Sequence, residues 1–128
     1  MKVLHTADWH VGKALGGRSR QEEHEAVLDE IVTIARGQEV DVVLVAGDLF
    51  DNTAPSPDAE RIVYRTLLDL SEVGHVVVIP GNHDNERRLA AIAPLFDLSN
   101  ATMRAFVTER PLEIETRSGE RARIALLP

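Results

Sequence analysis

Three apolar runs, each followed at once by a polar cluster, punctuate the first two-thirds of the chain. Lys2–Thr6 leads into Asp8-Trp9-His10, Asp41–Ala46 into Gly47-Asp48-Leu49-Phe50-Asp51, and His75–Ile79 into Gly81-Asn82-His83-Asp84. The second and third runs are rich in valine and do not alternate with polar residues. That is the pattern of strands covered on both faces, as in parallel sheets. The stretches between them carry apolar residues at helical spacing, so the chain alternates strand and helix and predicts a layered α/β fold. In open sheets of this kind ligands bind at the carboxyl ends of the strands. Three polar clusters remote in sequence are thereby expected at one edge.

The helices follow from period and punctuation. From Gln21 to Arg36, the residues Val27, Leu28, Ile31, Val32 and Ala35 make one face, acids fill the first turns, and Gly37 is a natural stop. Ser56 predicts an N-cap with Pro57 in the first helical position of a second helix. Ala59, Ile62, Val63, Leu67 and Leu70 form its buried face, with Gly74 beyond its end. A shorter helix is expected from Glu86 to Ala93, stopped by Pro94. Past residue 100, Leu112–Thr116, a turn over Arg117-Ser118-Gly119-Glu120, and Ala122–Leu127 predict a hairpin. The apolar strand that precedes Pro128 predicts apolar surface exposed in the isolated chain, and self-association with it.

With 128 residues, 44% hydrophobic and 27% charged, the chain is sized and composed for one globular unit. Its longest apolar runs fall far short of the roughly 20 residues that span a bilayer, and its N-terminus has no signal-peptide core, so no membrane partner is expected. The absence of cysteine excludes disulfides and thiolate metal sites and suits a reducing cytoplasm. A net charge of −7 disfavours a domain that grips DNA by bulk charge. Local charge runs the other way: residues 1–20 hold Lys2, Lys13, Arg18 and Arg20 against Asp8 alone.

Carboxylate, imidazole and amide oxygen together form a donor set for manganese, iron or zinc. Asp48, arriving from the middle run, is placed to bridge two ions through its two oxygens. Two ions about 3.5–4 Å apart would polarise a phosphoryl oxygen and supply a nucleophile at neutral pH. Any one of these aspartates could instead cap a turn. Taken together with His10, Asn82 and His83, in order and each after a strand, they form a constellation that capping does not account for.

Asp8-x-His10, then Gly47-Asp48 with Asp51, then Gly81-Asn82-His83-Asp84 resemble the first three motifs of the calcineurin-like metallophosphoesterases. The fuller wording, His5-Thr6-Ala7-Asp8-Trp9-His10-Val11-Gly12, Ala46-Gly47-Asp48-Leu49-Phe50-Asp51 and Pro80-Gly81-Asn82-His83-Asp84, is similar to one branch of them. That branch comprises bacterial nuclease subunits that work with an SMC-like ATPase in double-strand-break repair. The resemblance runs the length of the chain. It implies an αββα sandwich, the layered metallophosphoesterase fold, with residues 1–128 as its N-terminal portion. It further implies a metal-dependent exonuclease or endonuclease acting on DNA with two divalent ions, manganese foremost, and a homodimer in the complete protein. On this pattern Asp8 and His10 bind the first ion, Asp48 bridges, and Asn82 binds the second. His83 stabilises or protonates the leaving oxygen. Family members complete the site with further histidines ending in Gly-His-x-His, whereas no histidine follows His83 here. The resemblance therefore implies that this chain alone is inactive.

The remaining polar residues divide by chemistry. Asp51 and Asp84 are expected to cap a helix or orient a ligand rather than bind metal. Lys13, Arg18, Arg20, Arg87 and Arg88 are candidate DNA contacts. Trp9 is expected to pack beneath its loop, and His5, His24 and His75 to be structural or surface residues. Two other functions fit the same residues: a phosphoesterase of small substrates, and a non-catalytic interaction module.

Overall fold

The computed structural model describes residues 1–128. In chain order the elements are β1 (Val3–Thr6), β2 (Ala14–Leu15), β3 (Arg18–Ser19), α1 (Gln21–Gly37), β4 (Val42–Ala46), α2 (Pro57–Ser71), β5 (His75–Ile79), α3 (Glu86–Phe96), β6 (Ala101–Met103), β7 (Leu112–Glu115) and β8 (Arg121–Ile124). The main sheet has the order β1-β4-β5-β6 and every pairing in it is parallel. Val3 stands opposite Val42, and Val43 opposite Val76. Because each crossover moves one strand further in the same direction, right-handed connections lay all three helices on one face.

The valine-rich strands serve two cores at once. Val43, Val45, Val76 and Val78 face the helices and pack with Leu28 and Val32 of α1, Ile62, Val63 and Leu67 of α2, and Leu89 and Phe96 of α3. Val42 and Val77 point the other way and pack against Ile114 and Leu126, so the β7–β8 hairpin covers the opposite face. A helix layer, a parallel sheet and a two-stranded hairpin on the sheet's other face make up the layered α/β arrangement that the sequence predicts. No helix is long and apolar enough to cross a membrane.

Several boundaries depart from expectation. Helix α3 does not stop at Ala93. It carries Pro94 inside it and continues to Phe96. Phe96 is buried against Tyr64, with ring centroids 5.9 Å apart, and that contact favours the last turn over the hydrogen bond that proline removes. Helix α1 runs through Gly37 and is closed by Gln38. Ser56 caps α2 as expected, its hydroxyl accepting from the Ala59 N–H at 3.2 Å. Three short strands have no counterpart in the sequence-based expectation: the paired β2 and β3 within the glycine-rich loop, and the three-residue β6.

Candidate metal centre

Beyond the last residues of β1 and β4 the two chain segments stay in register without forming a regular ladder. The Asp8 N–H donates to the Gly47 carbonyl at 3.1 Å, the His10 N–H to the Asp48 carbonyl at 2.9 Å and the Val11 N–H to the Leu49 carbonyl at 3.0 Å. This pairing draws the first and second polar clusters together. It holds Asp8, His10 and Asp48 with φ of 56°, 47° and 50°, in the left-handed region. Only one other non-glycine residue, Glu39, adopts such a φ. A left-handed conformation costs an ordinary residue of order 1–2 kcal/mol and persists where the surroundings over-determine it. Its concentration at three candidate ligands marks this edge as built for aiming side chains.

The third cluster is brought in by close backbone approach. A Cβ added to Gly81 would lie 2.1 Å from Asp48 Oδ1, and one added to Gly47 would lie 2.7 Å from the Gly81 Cα. Only glycine fits either position. Asp84 then locks the contact. It is buried, and its carboxylate accepts from the N–H groups of Leu49 at 3.1 Å, Phe50 at 3.0 Å and Gly81 at 2.9 Å. The cap of α3 is Asn85, whose side chain accepts from the Arg88 N–H. Asp84 is therefore a brace between two ligand-bearing loops and not a helix cap.

Asp8, His10 and Asp48 present one ligand atom each within 4.8 Å of one another. His10 Nε2 lies 3.9 Å from Asp8 Oδ1 and 3.7 Å from Asp48 Oδ2. His10 Nδ1 is buried without a hydrogen-bond partner, and Asp51 Oδ1 stands 3.7 Å from it. A proton on Nδ1, facing the Asp51 carboxylate, leaves the Nε2 lone pair between two other carboxylates. An acceptor nitrogen among carboxylate oxygens is repulsive unless a cation lies among them, so the donor set fits a divalent ion. Asp48 is divided between two tasks: Oδ2 faces His10, and Oδ1 accepts from the His83 N–H at 2.9 Å.

The His83 ring is held edge-on to that of His10, centroids 5.0 Å apart, with Nδ1 3.0 Å from the Asp51 carbonyl oxygen. A carbonyl can only accept, so Nδ1 carries the proton and Nε2 is the free ring nitrogen. Asn82 is exposed in the same loop, between Gly81, which packs on Asp48, and His83, which binds it. Trp9 is buried in the helix-side core and its indole N–H donates to Thr6 Oγ1 at 2.9 Å, stapling the loop after β1.

A family model for calcineurin-like phosphoesterases matches residues 1–120. The chain belongs to the calcineurin-like phosphoesterase family. The SbcD subunit of nuclease SbcCD from Bacillus subtilis (strain 168) is 45% identical over 120 residues, which cover 92% of this chain and 31% of that protein. Its namesake from Escherichia coli (strain K12) is 36% identical over 120 residues, covering 93% of this chain and 30% of that protein. That of Rhodobacter capsulatus is 44% identical over 94 residues, 71% of this chain and 23% of the relative. This phosphoesterase chain thus spans less than a third of the length of these relatives.

Of the phosphoesterase's basic candidates, Lys13, Arg18 and Arg87 are exposed and form no ion pair. Arg20 is held by Glu23 at 2.7 Å. Arg88 donates through Nε and Nη2 to both oxygens of Glu60, each at 2.8 Å, and ties α3 to α2. His75 bonds Asn100 at 2.8 Å and Thr102 at 3.0 Å, a structural clasp between β5 and β6. At the edge of the site, burial first and then the Arg20 charge push His24 below the ordinary histidine range.

Proposed function

We propose that this chain carries part of a metal-dependent phosphodiesterase that hydrolyses DNA, acting with an SbcC-type, SMC-like ATPase in double-strand-break repair. The observation that carries the reading is the convergence of Asp8, His10 and Asp48 at one sheet edge, each in a strained backbone conformation and with His83 beside them. Asp8 and His10 would hold one divalent ion, Asp48 would bridge, and Asn82 would contribute to a second, with manganese the proposed metal. Bound ions of this kind polarise a phosphoryl group and supply a nucleophile at neutral pH.

The chain's own residues account for the rest. Asp51 orients His10 from behind, so that Nε2 faces the cluster. Asp84 keeps the loops bearing Asp48 and His83 in contact. In hydrolysis a P–O bond forms from water and the bond to the leaving alcohol oxygen breaks. That oxygen needs a proton as it departs. His83, pinned through Nδ1–H to the Asp51 carbonyl, would deliver it from Nε2 when the ring is protonated on both nitrogens, and would be left neutral with its Nδ1–H still on that carbonyl. Lys13, Arg18 and Arg87, free of ion pairs, are the side chains proposed to meet the DNA backbone, with Arg20 and Arg88 available only on exchange of their carboxylate partners. A homodimer and a cytoplasmic location belong to the same proposal.

The test is Asp48→Asn in the complete protein. Manganese-dependent cleavage of DNA is expected to fall by at least about a hundredfold with the fold retained, the scale of loss when charge stabilisation is removed from a reacting phosphate. Cleavage at the parent rate would overturn the proposal. Faster turnover of small phosphodiesters than of DNA by the parent protein would instead assign the centre to small substrates.

A further inference from the structure

On the α1 side of the metal cluster lies an open crevice of about 410 Å³. Asp8 and His10 line it together with Lys13, Arg20, Glu23 and His24. Three features set it apart from ordinary surface. Lys13 is exposed, forms no ion pair, and is tied by its backbone N–H to the His10 carbonyl at 3.1 Å, so its side chain springs from a backbone held one turn from a candidate metal ligand. Arg20 is held only by Glu23, a carboxylate with 63% of its side chain exposed and therefore readily returned to water. His24 presents its two ring nitrogens to different surroundings. Nδ1 is buried with no partner, whereas Nε2 is neither buried nor bonded to protein.

That asymmetry determines where the His24 proton sits. A buried N–H without an acceptor is a costly group, and a buried bare nitrogen is a lesser one. The proton is accordingly on Nε2, which makes His24 a neutral donor toward the crevice. Burial and the Arg20 charge, which lower its proton affinity, keep it so. An ammonium, a guanidinium with an exchangeable partner and an imidazole N–H therefore line one hollow that opens onto the proposed metal centre.

We infer that this crevice is a second phosphate subsite, formed by Lys13, Arg20 and His24, which takes the phosphate next to the scissile one along a nucleic-acid strand. The inference rests on the phosphodiesterase reading of the Asp8–His10–Asp48 centre and narrows it. The substrate is a polynucleotide engaged through consecutive phosphates, not an isolated phosphate ester. Lys13 supplies an unpaired charge, His24 the directional donor, and Arg20 exchanges Glu23 for phosphate. His24 is a specificity-determining residue here, a role its place on an amphipathic helix conceals.

The experiment compares the thymidine dinucleotide TpT with pTpT and TpTp, using the complete protein and manganese. The parent should prefer one of the two substrates that carry a second phosphate. His24→Ala and Lys13→Ala should each shrink that preference by about tenfold, the usual scale for one charge-assisted contact. His24→Gln, which keeps a donor, should restore most of it. Equal handling of all three substrates by the parent, or an undiminished preference in both variants, overturns the subsite. If the parent cleaves none of them, its manganese-dependent cleavage of DNA decides the phosphodiesterase reading, and the subsite is judged by binding. For a single-stranded oligonucleotide, the slope of log affinity against log salt should fall by about 0.7 in Lys13→Ala. An unchanged slope overturns the subsite independently of catalysis.

Discussion

Asp84 shows how far a candidate metal site can depend on a residue outside the proposed ligand set. Its carboxylate accepts three backbone N–H groups, two from the loop after β4 and one from the loop after β5. Because two of these donors are buried and the third partly so, removing the acceptor strands them. Hydrogen bonds to a charged group contribute about 1.5–3 kcal/mol each and do not add fully. Asp84→Ala should therefore lower unfolding free energy by about 3 kcal/mol, read by urea denaturation. It should also weaken manganese binding, although Asp84 is no ligand. A loss below about 1 kcal/mol would show that the two loops hold together without it. The residue types at this edge were legible in the sequence, since Asp8, His10, Asp48 and His83 sit where strand ends demand them. The division of labour was not. Whether an aspartate in such a loop ligates, caps or braces depends on which backbone N–H groups turn toward it, and that is settled by the approach of Gly47 to Gly81.

Between elements, the Glu60–Arg88 pair is the clearest electrostatic link. The Arg88 hydrogen bonds, aided by that of Tyr64, hold the Glu60 carboxyl below the usual carboxylate range. Burial pushes the Tyr64 phenol well above its own. A carboxyl depressed on folding contributes stability that is complete above its unfolded value and lost as pH falls toward the folded one. The tie between α2 and α3 should accordingly weaken as pH drops below about 4.5. Glu60→Gln should flatten that part of the stability profile while leaving the shape above neutrality unchanged, as read by denaturation at a series of pH values. A profile as steep as the parent's would show that the pair contributes nothing to acid stability. Element boundaries were the least legible part of the sequence. Strands β4 and β5 announced themselves by unbroken valine runs, and α2 by Ser56-Pro57. Strand β6 is three residues with a threonine in the middle, too short for any period to register. Pro94 argued for an end that the burial of Phe96 overrode.

For the molecule as a whole, the parallel sheet decides by geometry where the candidate site forms. Neighbouring parallel strands in sequential order put all their carboxyl ends at one edge, so the three polar clusters meet without any long excursion of the chain. The same order leaves the opposite face for the β7–β8 hairpin, which packs against Val42 and Val77. Family membership and this architecture were legible from three motifs at strand ends. The crevice beside α1 was not, because it is assembled from a loop lysine, an arginine at the start of the helix and a histidine one turn further on. The central claim is that Asp8, His10 and Asp48 together hold a divalent cation. It is tested most directly by titrating this chain with manganese in a calorimeter, beside an Asp48→Ala variant of equal helical content. Saturable binding to the parent chain and its loss in the variant are the predicted result. No binding up to millimolar manganese, or equal binding by both, would contradict the claim.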